Sequence, residues 1–462
     1  MQAHYNPNTI AEQAQEEGLL AAPLISDYLR RHLHTFLAPL IAQFHSRCDA
    51  RLVRTFLALV EVILCFRNRA HGLLLSELGG YLLGPHHAPA GTKRLSNLLR
   101  SPKWNVRMLD LFLWRVAQAR HDQLTQEQKT ILVVWDESVL EKNESRKLEG
   151  LGPVRSSKAA RCLAHKPGFH RPPTNKPIFV PGMNWISLLL LGPSGPPTVA
   201  TMRWFTTRGE GKTSARRVQS GLLTRCKNLW GKSVVHVFDR GYAGGPWLER
   251  LCGEQVRFIV RWPKRYFLHR WQADQTLGPG QNAWKVVRGQ RAQDSRMLRD
   301  GRLGSERKVS ILWREVRHPE FVGERLWLVV ARRGGGQQPW YLLTNEPVTT
   351  KDEAWAIVFG YVRRWQIELA FRYNKSELAM ESPRLWSWER RVRLLLIVTL
   401  VYAFLLLLLA PMLAWLREWL LRHFCHRTGK RSREVSAPLY RMRAAISRLW
   451  LEWPEDRIQN SG

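Results

Sequence analysis

The chain has 462 residues, of which 71 are Lys or Arg and 38 are Asp or Glu, so its formal net charge is +33. This excess of positive charge predicts a polyanionic partner, with nucleic acid as the first candidate and an anionic membrane surface or a basic structural role as the alternatives. The hydrophobic content of 45% and the 21 Trp residues exclude a disordered basic tail, because so much apolar side chain can build large cores. We expect two or three folded units.

The cysteines favour a reducing compartment. They are scattered without paired spacing, which indicates neither a disulfide framework nor a C-x2-C zinc site. No basic stretch followed by an apolar core opens the chain, so no secretory signal is predicted and we expect a cytoplasmic, nucleoid-associated protein. Only a weak zinc pattern is present, at Cys162, His165 and His170.

Residues 1–128 are predicted to form a helical N-terminal domain. From about residue 9 the apolar positions recur with the 3.6-residue period of a helix, and Arg or His occupies the polar faces. Two roles stay open for this domain, a bundle with solvated basic faces and the binding of DNA ends. A basic junction that could contact phosphates contains Lys93, Arg94, Arg100 and Lys103.

From residue 131 the pattern changes to that of strands. An apolar run at residues 131–135 ends at Asp136 and a second one at 234–238 ends at Asp239, as expected for buried strands followed by acids. The predicted order is β-β-β-α-β-α-β, which indicates an α/β fold with a mixed sheet and helices on both faces. The other predicted elements are strands at 185–191, 198–205 and 257–261, and helices at 215–230, capped by Ser214, and 246–254.

Asp136 and Asp239 would meet at one edge of the sheet if their strands are neighbours. Glu368, on a later helix, could be the third acid of such a cluster. Clustered carboxylates repel one another unless hard cations such as Mg²⁺ or Mn²⁺ lie between them, which is the arrangement of a two-metal phosphodiester site. The competing interpretation is that each Asp only caps a helix or forms a turn.

Residues 361–375 place one acid among aromatic and basic partners, in the spacing Y-x2-R-x3-E-x6-K. If the segment is one helix, steps of 3, 7 and 14 residues bring Tyr361, Arg364, Glu368 and Lys375 within about 60° of one another. A T-x-x-E capping box beginning at Thr350 predicts where the preceding helix starts. The alternative is an amphipathic helix in which Arg364 and Glu368, one turn apart, simply form a salt bridge.

Residues 394–416 are almost unbroken apolar sequence, long enough to span a bilayer. Two interpretations stay open, a transmembrane segment and a core helix that is buried on all sides and ended or kinked by Pro411. A basic tail follows, with Arg427, Lys430, Arg431 and Arg433 as a possible DNA or partner surface.

With these motifs the chain resembles bacterial insertion-sequence transposases of the DDE class, in the IS-four-like branch that carries the Y-x2-R-x3-E-x6-K signature. Tyr361, Arg364, Glu368 and Lys375 match that signature without a gap. The segment from Asp239 to Tyr242 matches the D-x-G-Y/F pattern around the second aspartate of the family, and the residues around Asp136 resemble the first. The likeness extends from about residue 131 to residue 416.

The resemblance implies a ribonuclease-H-like core interrupted by a β-rich insertion. We accordingly expect a helical domain at 1–128, the first part of the core at 129–262, the insertion at 263–345, the second part of the core at 346–420 and a basic tail at 421–462. Strands of the insertion are predicted at 284–288, 308–314, 325–330 and 340–343.

The resemblance also implies site residues. Asp136, Asp239 and Glu368 would be catalytic and hold two Mg²⁺ or Mn²⁺ ions. Among the basic and aromatic residues, Tyr361, Arg364, Lys375 and Arg261 would contact DNA phosphates, while Trp340 would stack on a flipped base or, alternatively, serve only as a strand aromatic; Lys264, Arg265 and Arg333 are further candidates on charge alone.

The implied function is that of a transposase acting on double-stranded DNA. It would bind the terminal repeats of the element and catalyse cut-and-paste cleavage and strand transfer through a hairpin, as a homodimer in the synaptic complex and without a membrane partner. The alternatives are a DDE-type nuclease that does not transpose, an inactive domesticated DNA-binding protein and, if residues 394–416 enter lipid, a membrane protein.

Overall fold

The structure is a computed structural model of the chain. It describes residues 7–68, 71–142, 147–156, 177–272, 276–299, 306–334, 336–425 and 439–454. Two groups of residues singled out above lie outside these ranges, namely Cys162, His165 and His170 of the weak zinc pattern and Arg427, Lys430, Arg431 and Arg433 of the tail.

Helices precede the first strand, as the N-terminal periodicity predicts, and return after the last one. The first group is α1 Pro7–Glu17, α2 Ala22–His45, α3 Ala50–Cys65, α4 Leu75–Leu83, α5 Ala88–Arg100 and α6 Val106–Gln126. Between strands lie α7 Ala215–Trp230, α8 Gly245–Gly253 and α9 Ala283–Val286. The last group is α10 Lys351–Arg363, α11 Trp365–Ser376, α12 Trp388–Leu407, α13 Ala414–Phe424 and α14 Leu439–Glu452.

Within the described residues the strands form one mixed sheet of twelve. Its order is β2-β3-β1-β5-β6-β12-β11-β10-β7-β8, with β4 on β3 and β9 on β10. Only β1, β5 and β6 run parallel. The strands are β1 Ile131–Glu141, β2 Gly152–Arg155, β3 Phe179–Leu191, β4 Thr198–Phe205, β5 Val234–Phe238, β6 Arg257–Arg261, β7 Phe267–Trp271, β8 Leu277–Asn282, β9 Asp294–Arg299, β10 Glu306–His318, β11 Phe321–Arg332 and β12 Trp340–Thr344.

The predicted α/β class with a mixed sheet is confirmed, and two local predictions are wrong. The first strand does not end at Asp136, because residues 136–141 continue it by antiparallel pairing with β3. Residues 284–288 are not a strand, since α9 ends at Val286 and a turn follows. The structure also has β2, β7, β8 and β9, which the sequence did not predict.

Two hydrophobic cores lie on opposite faces of the sheet, and the strands divide their side chains between them. Leu132 and Val134 of β1 belong to the core that contains α2, α3, α10 and α12. Val133 and Trp135 belong to the core that contains α7 and α8. This alternation follows from the two-residue period of a strand and makes helices cover both faces.

The apolar run at residues 394–416 is not one straight helix. Every residue from 394 to 406 is buried in α12, and this helix ends at Leu407. Among the residues that the structure describes, no single helix is long and apolar enough to cross a membrane, although the pair Trp388–Leu407 and Pro411–Phe424, bent by 81°, passes that test together. The buried interpretation therefore describes α12 as it stands in this fold.

Buried arginines join distant parts of the chain to one another. Arg443 of α14 donates hydrogen bonds to the backbone carbonyls of Ile63, in the last turn of α3, of Phe66, just after α3, and of Glu377, just after α11. Arg393 of α12 donates to the carbonyls of Leu99 and Ser101 at 3.0 and 2.6 Å. The N-terminal helices thus share their core and their hydrogen bonds with the helices that cover the sheet.

Replacing Leu400 with Ala should test the burial of α12. Leu400 is 0% exposed, so removing its side chain leaves a cavity, and we expect the free energy of unfolding to fall by about 2–5 kcal/mol. Leu407→Ala is the matched control, because this Leu lies on the same helix and is 43% exposed. The thermal midpoints of the two variants give the comparison, and equal losses would contradict a buried α12.

The parallel pair β1 and β5 is joined by a buried side-chain hydrogen bond. Trp135 Nε1 donates to His236 Nδ1 at 2.9 Å, which requires the neutral imidazole. Burial lowers the pKa of His236 to about 3 from its ordinary 6.5. Since the unfolded chain binds a proton that the folded chain does not, this term of the stability is fully present above pH 6.5 and is lost as the pH falls from there towards 3.

His236→Asn should reduce this dependence on pH. The amide oxygen of Asn can still accept the Trp135 bond, but the variant carries no group that titrates there. We expect its thermal midpoint to fall less than that of the parent between pH 7 and pH 5, even though its stability at pH 7 is lower by about 1–3 kcal/mol. His86→Asn, on an exposed His, should retain the parent's dependence on pH.

Candidate active site

Asp136 and Asp239 lie on the same face of the sheet because of the alternation just described. On β5, Val235 and Val237 face the same core as Leu132 and Val134 of β1. The parallel register pairs Trp135 with Phe238, so the two acids that follow are neighbours at the end of the parallel ladder. The predicted meeting of Asp136 and Asp239 is therefore what the strand geometry produces.

Arg261 and Trp340 lie on the next two strands, at the end of the sheet where the parallel strands finish. Arg261 ends β6 and pairs with Leu342 of β12. Since β12 runs antiparallel to β6, its first residue Trp340 lies at the edge where β6 ends. Trp340 also packs against the core that faces the two acids.

The predicted helix at residues 361–375 is two helices. The capping box of Thr350 and Glu353 is present and begins α10, as predicted. At Arg364 the bonding tightens, because the Arg364 amide donates to the carbonyl of Tyr361 and the Ile367 amide to that of Arg364, each at 3.1 Å. No Gly or Pro lies between residues 361 and 375, so the sequence carries no signal for this break.

Arg364 connects the acids. Its Nη1 lies 3.1 Å from Oδ2 of Asp136, its Nη2 pairs with Oε1 of Glu368 one turn along α11, and its side chain is only 7% exposed. The Tyr361 hydroxyl donates to Oδ1 of Asp239 at 3.3 Å. Asp136, Asp239 and Glu368 are thus gathered with Tyr361 and Arg364, as the sequence motif predicts.

Burial determines the electrostatics of this group. It raises the pKa of Asp136 to about 7, with Arg364 acting against the shift and the charges of Asp239 and Glu368 adding to it. Burial works against the charge of Arg364, but Tyr361 and the three acids outweigh it and raise the pKa of the guanidinium. Burial likewise raises the pKa of Tyr361 to about 12, so its hydroxyl stays protonated and can donate.

An alternating stack of cations and rings extends from the acids. The Arg364 guanidinium lies 5.6 Å from the Tyr361 ring centroid, and Trp340 meets the Tyr361 ring edge on at 5.1 Å. The Arg333 guanidinium covers Trp340 at 4.3 Å. Charge alone marked Arg333 in the sequence, and the structure brings it onto the aromatic residue that the resemblance singled out.

Lys375 lies further from the acids than the other residues of the motif, whereas Ser187, which the sequence did not indicate, lies beside Asp136. Lys375, in the last turn of α11, is seven residues beyond Glu368, which is about 10 Å along a helix. Ser187 was missed by the sequence analysis, although it is the β3 partner of Asp136 and is fully buried. Its hydroxyl has no hydrogen-bond partner among the described residues, so a polar group beside Asp136 is left unsatisfied.

The donor chemistry of this cluster suits a hard divalent cation, since it offers three carboxylates and the unsatisfied Ser187 hydroxyl. The present spacing does not, because among the described residues no three His, Cys, Asp or Glu side chains are grouped closely enough to hold a metal ion. Arg364 instead lies between Asp136 and Glu368.

Comparison with known proteins identifies the domain. A family model described as a transposase DDE domain matches residues 198–404, a span that includes Asp239 and Glu368 and begins after Asp136. None of the curated proteins matches the chain. The cryo-EM structure of the piggyBac transposase synaptic complex with hairpin DNA is similar at a TM-score of 0.40, with 11% identity over 99% of this chain and 87% of that chain, a likeness too low to bear on fold or function. The family match shows that this chain carries a transposase DDE domain and is an enzyme of the DDE transposase class, which acts in DNA transposition and recombination.

Proposed function

We propose that the protein is the transposase of an insertion sequence of the IS-four-like branch. It binds the terminal repeats of its element, cleaves one strand at each end, and uses the freed 3′-hydroxyl to attack a phosphodiester, forming a hairpin before strand transfer. The observation that carries this proposal is the pairing of Asp136 and Glu368 with one buried cation, Arg364, while Asp239 accepts a hydrogen bond from the neighbouring Tyr361 hydroxyl.

The three acids are the metal ligands in this proposal. DDE transposases generally use divalent metal ions. Asp136, Asp239 and Glu368 would hold two Mg²⁺ or Mn²⁺ ions, which when bound activate water or a 3′-hydroxyl and stabilise the leaving oxygen. The acids would hold these ions at the end of the parallel strands, where we propose that the duplex binds.

The cationic and aromatic residues around the acids are proposed to hold the DNA. Arg261, Arg364 and Lys375 supply positive charge for the phosphates near the cleaved bond, and the Tyr361 hydroxyl is a neutral donor. The broad indole face of Trp340, at the same edge of the sheet, suits an unpaired base.

The domain bounds are proposed to follow the sequence pattern. Residues 129–262 and 346–420 form a ribonuclease-H-like core, with 263–345 as its β-rich insertion. Residues 1–128 bind the DNA ends and 421–462 contribute to a homodimer in the synaptic complex. The net charge of +33 supports extensive contact with phosphate.

A DDE nuclease without strand transfer is the second candidate, because it would use the same three acids. An inactive DNA-binding protein fits the site less well than either enzyme, because binding alone does not require three carboxylates to be kept together in a buried site. A strand-transfer assay with the ends of the element and Mn²⁺ separates a transposase, which gives joined products, from a nuclease, which gives only cleaved ones.

Replacing any one of the three acids should abolish strand cleavage. We expect Asp136→Ala, Asp239→Ala and Glu368→Ala each to lower the cleavage rate by more than about a hundredfold, since changes behind a metal ligand already cost 10 to 100-fold. Binding to the terminal repeats, measured by mobility shift, should remain largely intact because the DNA contacts are made by other side chains.

Glu137→Gln is the matched control for these variants. Glu137 is next to Asp136 in β1 but faces the other side of the sheet, where its carboxylate accepts a hydrogen bond from Gln219. Its replacement should leave cleavage within about threefold of the parent. Retained cleavage by any of the three Ala variants, or an equal loss in Glu137→Gln, would sink the assignment of the acids.

Trp340→Ala should impair hairpin formation more than the first nick. Stacking of a base on an aromatic ring is worth about 1–3 kcal/mol, which corresponds to about 5 to 150-fold in the step that needs the flipped base. Trp340→Phe should keep most of the activity because a ring remains. Gel analysis of the two products gives the ratio, and an equal fall of both products would favour a purely structural strand aromatic.

A further inference from the structure

Arg364 occupies the position where a cation is needed between two of the proposed metal ligands. Its two terminal nitrogens bind Asp136 and Glu368, and its side chain is almost wholly buried. The same oxygens, Oδ2 of Asp136 and Oε1 of Glu368, are donors that a divalent ion would use. A guanidinium and a metal ion cannot both take them, since two cations in one small cluster repel each other.

The Arg364 guanidinium is also incompletely satisfied. Its Nε is buried and has no hydrogen-bond partner among the described residues. A guanidinium can donate two parallel hydrogen bonds to a phosphate, which is a better match to its fork than two carboxylates from separate elements. Arg364 therefore pairs with the two acids when DNA is absent, and a DNA phosphate is an alternative partner when DNA is bound.

We propose that Arg364 is an internal counter-ion of the acid cluster, competing with divalent metal for Asp136 and Glu368 until a DNA phosphate takes its guanidinium. This inference rests on the proposed function and adds a regulatory role to it. In the DNA-free protein Arg364 occupies oxygens of Asp136 and Glu368, and these acids bind metal weakly. When DNA is bound, the guanidinium moves to the phosphate and the acids are free for metal.

In the absence of DNA, the free energy favours Arg364 over metal as the partner of the acids. Removing Arg364 from the acids without giving it another partner leaves a buried charge unpaired, which is strongly unfavourable. Metal must overcome that cost by itself when no DNA is present. Because the coupling is reciprocal, metal must raise the affinity for DNA by the same factor by which DNA raises the affinity for metal.

Binding of Mn²⁺ to the full-length, DNA-free protein tests the proposal without any use of activity. The free Mn²⁺ signal in electron paramagnetic resonance reports the affinity directly. Arg364→Gln should bind Mn²⁺ more tightly than the parent, by a factor of about 5 to 150, the usual range for coupled sites. Arg364→Lys, whose single ammonium replaces the fork, should lie between the two.

Arg372→Gln is the matched control, because it removes the same charge from an exposed position on α11, the helix that directly follows Arg364. Its Mn²⁺ affinity should stay within about twofold of the parent. Circular dichroism establishes that each variant is folded. An affinity of Arg364→Gln and of Arg364→Lys equal to or weaker than that of the parent would overturn the competition.

A duplex oligonucleotide provides the second arm of the test. Added to the parent, it should strengthen Mn²⁺ binding, and added to Arg364→Gln it should do so much less, because no guanidinium is left to withdraw. Equal enhancement in both proteins would contradict the exchange. Failure of the proposed function looks different, since Asp136→Ala would then leave Mn²⁺ binding unchanged in every background.

Discussion

The register of the parallel strands β1 and β5 is the constraint on which the site depends. Side chains of a strand alternate between its faces, and the pairing of Trp135 with Phe238 fixes which face receives the acid that follows each of them. A slip of one residue would send one of those acids to the opposite core. The buried bond from Trp135 to His236 is made across these two strands, so it resists such a slip.

A second constraint is electrostatic, namely the repulsion among the three carboxylates. Three carboxylates can be brought into a half-buried group only if a positive charge accompanies them, and the chain supplies its own in Arg364. The pairing of Arg364 with Glu368 one turn away, expected for any amphipathic helix, is confirmed. The bond to Asp136 goes beyond it, because it joins the helix to the sheet. Arg364 therefore forms the helical salt bridge of the one interpretation and also the contact between acids that the other requires.

Much of the acid cluster was predictable, because apolar runs followed by acids are local patterns. The end of β1 was not predictable, since residues 136–141 continue the strand by pairing with β3 residues that lie 41 to 51 positions further along the chain. The break at Arg364 has no Gly or Pro to announce it, and it occurs where a buried arginine must reach two acids. Strands β7 to β9 carry turn residues and charges, so they form by pairing and not from their own pattern: β7 and β9 pair with β10, and β8 pairs with β7.

The hydrogen bonds of Arg443 have a consequence for the order in which the molecule is made. They join α14 to the end of α3, across 380 and 377 residues of sequence. The N-terminal helices therefore leave the ribosome long before a partner that completes their core has been synthesised. Until then their apolar faces stay available to chaperones or to other nascent chains. A prematurely terminated chain would lack this closure, and its exposed helices would make it a substrate for proteolysis instead of a free DNA-binding fragment.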